Sequence, residues 1–557
     1  MQVSYLQTID YIIFLVYFLL VSLYGYWIFQ RKKRSETSSS DYFLAEGSLT
    51  WWAIGASLIA SNISTEQFVG MSGSGFAMGL AIASYEWMAA ATLIVVAIFF
   101  LPIYLRNKIY TMPQFLTQRY NGSVAMLMAV FWLLVYVFVN LTSILHMGAE
   151  TISSLTGFSY LMCILGIATF AIFITLGGMK VIGFTDVIQV AILITGGLAA
   201  TYLAVGKVAQ YVGNTEGFFN GLAVLRTEAA SHFHMIFSKG QMMMPDGKGG
   251  TEDAFGKLPG LAVLIGAMWI ANLSYWGCNQ YITQRALGAD LQTARSGLLF
   301  AAFLKLIMPL IVVIPGIAIF LLHSRGYVFS GSGDIMSGIN PETGQMVIRP
   351  DKTYSAVLTL LPPGFTGLVF AALTAAVVAS LAGKSNSIAT IFALDVYKKA
   401  FNKNATEAQL IKAGRITIVA TMLVAVAVAP VLRSFGQIFN FIQDFTGLIS
   451  PGVLAIFMMG FFWRGNTSAA ALTAAVLTIP LGIGIEKMVP DMPFMNRMGW
   501  VFLALITIQF LISMTDKNRN KQRGLEIEVD DFKVSNAFAV GAVLVCGILS
   551  ALYYIFW

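Results

Sequence analysis

Apolar stretches of about twenty residues recur along almost the whole chain. An α-helix rising 1.5 Å per residue needs that length to cross about 30 Å of hydrocarbon. They fall at 9–29, 50–78, 81–105, 123–147, 155–179, 183–206 and 259–283, then at 297–322, 364–396, 414–432, 435–462, 467–486, 498–514 and 535–557, fourteen in all. Charged residues make up only 11% of the sequence, whereas soluble domains carry about 25% because water must be offered a surface. Hydrocarbon offers the backbone no partners, so helices are the simplest spanning solution. The chain therefore reads as an all-α, multi-pass protein of the plasma (inner) membrane, with fourteen transmembrane helices and the lipid bilayer as its solvent.

The remaining composition narrows the reading. Cys163, Cys278 and Cys546 all lie in apolar stretches, so neither a disulfide framework nor a thiolate metal site is expected. His232 and His234 form a His-x-His pair without further ligands, which reads as ordinary loop sequence. The net charge of +7 sits at loop edges and points to a membrane surface rather than to nucleic acid. The first stretch has almost no basic residues before it and no small-residue cleavage site after it, so a retained anchor is expected, not a cleaved signal.

Orientation follows from basic residues. With both termini extracytoplasmic, the short cytoplasmic loops carry 21 Lys and Arg against 3 in short outer loops, as the positive-inside rule requires. Two long outer segments, 207–258 and 323–363, are richer in Gly, Ser, Asp and Lys and read as surface loops with short helices at most. The expected organisation is an anchor helix and basic loop over 1–49, a first repeat over 50–206, the outer loop 207–258, a second repeat over 259–462, and peripheral helices over 463–557.

Two stretches are poor lipid anchors. The first contains Ala60-Ser61-Asn62-Ile63-Ser64-Thr65-Glu66-Gln67 and the second Ala271-Asn272-Leu273-Ser274-Tyr275-Trp276-Gly277-Cys278-Asn279-Gln280. Both read as helices interrupted near mid-membrane. They lie five helices apart and so cross in opposite directions, the pattern of a five-plus-five inverted repeat with a solute site at its centre. Intramembrane polar groups collect around them: Glu66, Gln67, Glu86, Asn140, Gln443 and Asp444. Amides and a carboxylate facing one cavity suit a solute with several hydroxyls, since each hydroxyl both donates and accepts. A sugar is the natural candidate, with helix-to-helix hydrogen bonding as the plainer role of any one of these groups alone. Tyr85, Tyr275, Trp276 and Phe439 are placed to stack on a ring or to gate the cavity. Lys305, about 12 Å from the inner face, reads on its own as a snorkelling side chain. Cation coupling needs an oxygen cage, and Ala376-Val377-Val378-Ala379-Ser380 opposite the Ala60 to Ile63 break supplies carbonyls and a hydroxyl.

On these stretches the chain resembles the sodium/solute symporter family, and within it the sodium/sugar branch. The likeness is carried by Ala56 to Gly75, Ile82 to Met88, Val139 to Ser143, Thr185 to Val190, Ala271 to Gln280, Phe370 to Tyr397 and Gln443 to Pro451. The resemblance implies alternating access and sodium-driven sugar uptake with no resident cofactor. It implies a sugar site of Asn62, Gln67, Glu86, Asn140, Asn272, Lys305 and Gln443, Tyr275 stacked beneath the ring, and Met71, Tyr85 and Phe439 above it. It also implies a sodium site of the Ala60, Ile63 and Ala376 carbonyls with the Ser380 hydroxyl, and Asp186 nearby on the exit route. Three residues depart from the pattern. Ala89 replaces a serine, Ala379 replaces a hydroxyl ligand, and Lys384 stands where an apolar residue is usual, one turn beyond Ser380 and within reach of an ion pair with Asp186. A sodium-independent or proton-coupled carrier, or a sensor on the same fold, is the alternative. No nucleophile and base arrangement or phosphate loop suggests an enzyme.

Overall fold

The computed structural model describes residues 6–32, 42–43, 49–246, 248–329, 335–339, 344–434, 438–519 and 524–557. Among these residues the protein is all-helical apart from two short antiparallel ladders, and every one of the predicted apolar stretches is helical. Eleven helical runs are long and apolar enough to cross a membrane. The other three stretches are the sixteen-residue helix Tyr160–Thr175 and the two interrupted ones, 50–78 and 259–283.

Burial separates a core from a rim. Of the most apolar eighteen-residue stretch of Phe365–Phe401, 89% is buried within the protein, whereas only 22% is in the corresponding stretches of Thr8–Ile28 and Asn536–Ile555. The rim exposes Leu15, Leu19, Trp500 and Val543, side chains that only lipid can cover at such density. Phe365–Thr390 packs along Gly178–Tyr211, while Leu291–Val312 packs along both Trp51–Asn62 and Ser84–Val95. The contact with Trp51–Asn62 depends on glycine. A β-carbon at Gly55 would stand 2.7 Å from the Gly297 carbonyl oxygen, and one at Gly297 2.7 Å from Ile54, so the two backbones approach as only small residues allow.

The first interruption is real and compact. Trp51–Asn62 ends at Ile63, whose ψ of 89° leaves the helix. The chain resumes as a wide π-helical turn, Glu66–Met71, followed by Ser72–Met78. The second lies at the far end of the polar stretch Ala271 to Gln280. Ala271 to Gly277 belong to the helix Met268–Gly277, and the break is at Cys278 and Asn279, before Gln280–Leu287. Polar side chains of the preceding turns line a cavity while the backbone stays helical, which is why composition alone made the break look longer than it is.

The outer segments hold more structure than expected. Met243–Pro245 pairs with Thr251–Asp253, and Ser337–Ile339 with Met346–Ile348; three-residue strands leave too little periodicity to be read from sequence. His232 is buried, its Nε2 3.1 Å from the Phe76 carbonyl oxygen and its ring stacked on Phe320, while His234 is exposed. His232 alone pins the loop.

Three of the basic residues assigned to short inner loops are also structural. Arg119 donates to the carbonyls of Gly460 (2.8 Å), Trp463 (2.8 Å) and Asn466 (3.2 Å), closing the C-terminal end of Ile438–Phe462. Arg295 donates to Ala97, Asp531 and Lys533 carbonyls, and Arg285 is 1% exposed. Removing these three still leaves eighteen basic residues against three.

Candidate functional site

The two interruptions and one further wide turn bring the polar residues together. Gln67 sits in the π-helical turn Glu66–Met71 and Asn140 in the turn Tyr136–Leu141. Such turns rotate side chains out of the ordinary helical phase and are frequent at working sites. A cavity of about 130 Å³ lies between them, lined by all eight proposed solute-binding residues: Asn62, Gln67, Glu86, Asn140, Asn272, Tyr275, Lys305 and Gln443. Met71 and Tyr85 line it as well. The Phe439 and Asp444 side chains lie outside the described residues.

Hydrogen bonds fix the donors and acceptors. Gln67 Oε1 accepts from the Ser64 backbone N–H (3.2 Å) and hydroxyl (3.3 Å), which caps the resumed helix and leaves the amide NH₂ for the cavity. Asn62 Nδ2 donates to the Tyr275 hydroxyl at 3.0 Å, and Asn272 Nδ2 donates to the Met268 carbonyl at 3.1 Å. The Tyr275 and Tyr281 hydroxyls are bonded to each other, and Tyr136 donates to Asn279 Oδ1. These tyrosines, with Asn279 from the second break, form a polar aromatic layer against one side of the cavity.

Lys305 does not snorkel. It is 1% exposed, its ammonium donates to Glu86 Oε2 at 2.5 Å and to Asn62 Oδ1, and it lies 5.2 Å from the Trp276 ring centroid. Depth along the helix suggested a route to the inner face; the direction around the helix, which depth does not reveal, aims the side chain into the cavity instead.

The Lys384 to Asp186 pair that the sequence allowed does not form either. Asp186 is not at a helix start but inside Gly178–Tyr211. Its carboxylate accepts from the Ser57 hydroxyl at 2.6 Å and faces Arg285 at 3.9 Å. Arg285 also donates to Ser57 Oγ (2.9 Å) and to the Tyr281 carbonyl. A β-carbon at Gly383 would meet the Arg285 guanidinium at 2.5 Å, so glycine is what lets this cation lie flat against Phe365–Thr390. Lys384 turns the other way, lines the cavity and stands 3.8 Å from Glu66. Sequence reasoning missed Arg285 as a buried group because it follows a polar break and reads as loop charge. Glu66 and Lys384 were visible as intramembrane charges, but nothing placed them together.

Beside the first interruption, the Ser380 hydroxyl lies 3.4 Å from both the Ala60 and the Ser61 carbonyl oxygens. The Ala60 carbonyl has lost its helical donor, because the Ser64 N–H turns to Asn62 and Gln67. Ala376 and Ala379 are buried on the same helix as Ser380. Neutral carbonyl and hydroxyl oxygens with no thiolate or imidazole suit a small hard cation. The arrangement as a whole can hold a polyhydroxylated solute in the cavity and place a cation between the broken helix and Phe365–Thr390.

Known proteins share this architecture. The chain is 42% identical over 555 residues, 99% of each chain, to the sodium/glucose cotransporter of Vibrio parahaemolyticus. It is 33% identical over 492 residues to the sodium/myo-inositol cotransporter 2 of Oryctolagus cuniculus, covering 85% of this chain and 69% of that one. The solved structure of a substrate-bound, outward-open Na⁺-coupled sialic acid symporter superposes with a TM-score of 0.75 over 92% of this chain and 98% of that one; at 18% identity this likeness speaks for the fold. A model of the sodium:solute symporter family matches residues 42–478. With a family match over most of its length and a relative at 42% identity along nearly all of it, the chain belongs to the sodium:solute symporter family.

Proposed function

We propose that this protein is a sodium-coupled symporter that imports a sugar, a hexose such as glucose or galactose, by alternating access. The observation that carries the reading is the convergence of eight hydrogen-bonding or stacking residues, drawn from helices far apart in sequence, on one buried cavity beside a broken helix. The names of two relatives, a sodium/glucose and a sodium/myo-inositol cotransporter, support a neutral polyhydroxylated solute. Transport rather than chemical conversion is the work of the family.

In this reading Asn62, Gln67, Glu86, Asn140, Asn272, Lys305 and Gln443 hold the sugar hydroxyls, Tyr275 stacks under the ring, and Met71, Tyr85 and Phe439 cover it. Sodium is co-transported cargo, held by the Ala60, Ile63 and Ala376 carbonyls and the Ser380 hydroxyl, with Asp186 near its exit. Bound there, it draws Trp51–Asn62 against Phe365–Thr390. That raises the population of the conformation whose cavity binds sugar, and coupling is the resulting difference in affinity. A carrier in which Lys384 replaces sodium is less well supported, because the ammonium faces Glu66 in the cavity.

Fourteen crossings in a five-plus-five inverted repeat, with both termini extracytoplasmic, complete the proposal. In intact cells, Lys239→Cys is expected to react with an impermeant maleimide from outside and Lys403→Cys only after permeabilisation. The opposite pattern would invert the orientation. For the function itself, labelled glucose should bind the purified protein at least tenfold more tightly in sodium than in choline. Gln67→Ala should weaken binding in sodium by about tenfold, the consequence of losing one buried hydrogen bond, with melting temperature kept. Equal binding in the two salts would remove sodium coupling, and unchanged binding by Gln67→Ala would remove this residue from the site.

A further inference from the structure

Two buried ion pairs face the cavity, and they are built differently. The Lys305 ammonium is fully engaged by Glu86, Asn62 and the Trp276 ring. The Lys384 side chain is 3% exposed, and its ammonium stands 3.8 Å from Glu66 Oε1 and 5.1 Å from the Tyr281 ring centroid. A separation of 3.8 Å is too long for a hydrogen bond, and Glu66 Oε1 is buried with no hydrogen-bond partner. An ammonium only donates and a carboxylate only accepts, so the pair offers the two halves of a hydrogen-bonding site to one point in the cavity.

A hydroxyl satisfies both halves at once. Placed about 2.8 Å from each atom, its oxygen would see the ammonium nitrogen and the carboxylate oxygen roughly 85° apart, wide enough for one lone pair to accept from the ammonium while the O–H donates to the carboxylate. Ala89 presents only a methyl group to the same cavity. We propose that Lys384 and Glu66 form a specificity-determining subsite that reads one hydroxyl of the transported sugar, an inference that rests on the sugar reading above.

Removing one partner would strand a buried charge, so the informative variant removes both: Lys384→Met with Glu66→Met. Uptake of D-glucose, D-galactose and their 2-, 3-, 4- and 6-deoxy derivatives is measured in proteoliposomes for the wild type and this double variant. The wild type is expected to show a KM about tenfold or more higher for one deoxy position than for the parent sugar. In the double variant the parent's KM rises by a similar factor, and the analogue lacking that hydroxyl is transported no worse than the parent. A deoxy profile unchanged in the double variant, or a loss spread equally over every analogue, would overturn the subsite while leaving the sugar reading in place. Wild-type protein that takes up neither hexose would overturn the sugar reading, and the subsite with it. If the double variant does not accumulate, Glu66→Gln, nearly isosteric, carries the same comparison with the same two outcomes.

Discussion

Lys305→Met is expected to abolish sugar binding and to lower the protein's stability by about 3 to 5 kcal/mol, the usual cost of leaving one member of a buried ion pair without its partner. Glu86 is 3% exposed and receives the Lys305 ammonium at 2.5 Å, and Asn62 depends on the same ammonium. Without the lysine, Glu86 either takes up a proton or opens the cavity to water, and Asn62 loses the donor that orients it toward Tyr275. Pairing the change with Glu86→Leu removes the stranded charge, so melting in detergent should return close to the wild-type value while sugar binding stays lost. That split separates two roles. A Lys305→Met protein that melts within a degree of the wild type and binds glucose normally would show that neither holds.

Arg285→Met is expected to have a comparable effect on stability and a different one on transport. Arg285 joins Gln280–Leu287 to Trp51–Asn62 through Ser57, and to Gly178–Tyr211 through Asp186. Its loss leaves Asp186 buried with only the Ser57 hydroxyl, again at about 3 to 5 kcal/mol. Asp186→Leu added to Arg285→Met should recover most of that loss. Gly383→Ala should act in the same direction as Arg285→Met, because its methyl group would occupy the place of the guanidinium. Sugar binding in the cavity should change much less than sodium dependence, since this cluster adjoins the half of the broken helix whose carbonyls face Ser380. Sugar affinity lost with sodium dependence intact would contradict this division.

The sequence was informative about depth and poor about direction. Apolar length fixed the helical stretches, and the departures from apolarity at Asn62, Gln67, Asn272 and Tyr275 located the cavity, because a membrane tolerates such groups only where something satisfies them. The direction of a side chain around its helix is a different matter. On a rim helix the lipid-facing residues give the phase. Phe365–Thr390 is buried almost all round, so no polar face sets a phase, and Lys384 was read toward Asp186 although it faces Glu66. Lys305 was misjudged for the same reason, with depth suggesting an escape to the surface that its azimuth denies. Arg119, Arg285 and Arg295 show a further limit: basic residues next to a helix end read as loop charge, yet each donates to backbone carbonyls or to buried side chains.

The π-helical turns could not have been read at all. Glu66–Met71 and Tyr136–Leu141 contain nothing that distinguishes them from α-helix in composition, and the extra residue they accommodate is stabilised by tertiary packing. Gln67 and Asn140 were nevertheless assigned to the cavity they line, from polarity and from family resemblance in both cases. The wide turns are what allow those side chains to point into the cavity.

An inward sodium gradient is expected to drive sugar uptake through this cavity. The most direct measurement is uptake of labelled glucose and galactose by proteoliposomes carrying the purified protein, compared between an inward sodium gradient and equal sodium on both sides. The account predicts transient accumulation above equilibrium for at least one hexose, present only with the gradient and abolished by Lys305→Met. Uptake that rises to the same level at the same rate with and without the gradient, or accumulation that survives Lys305→Met, would contradict it.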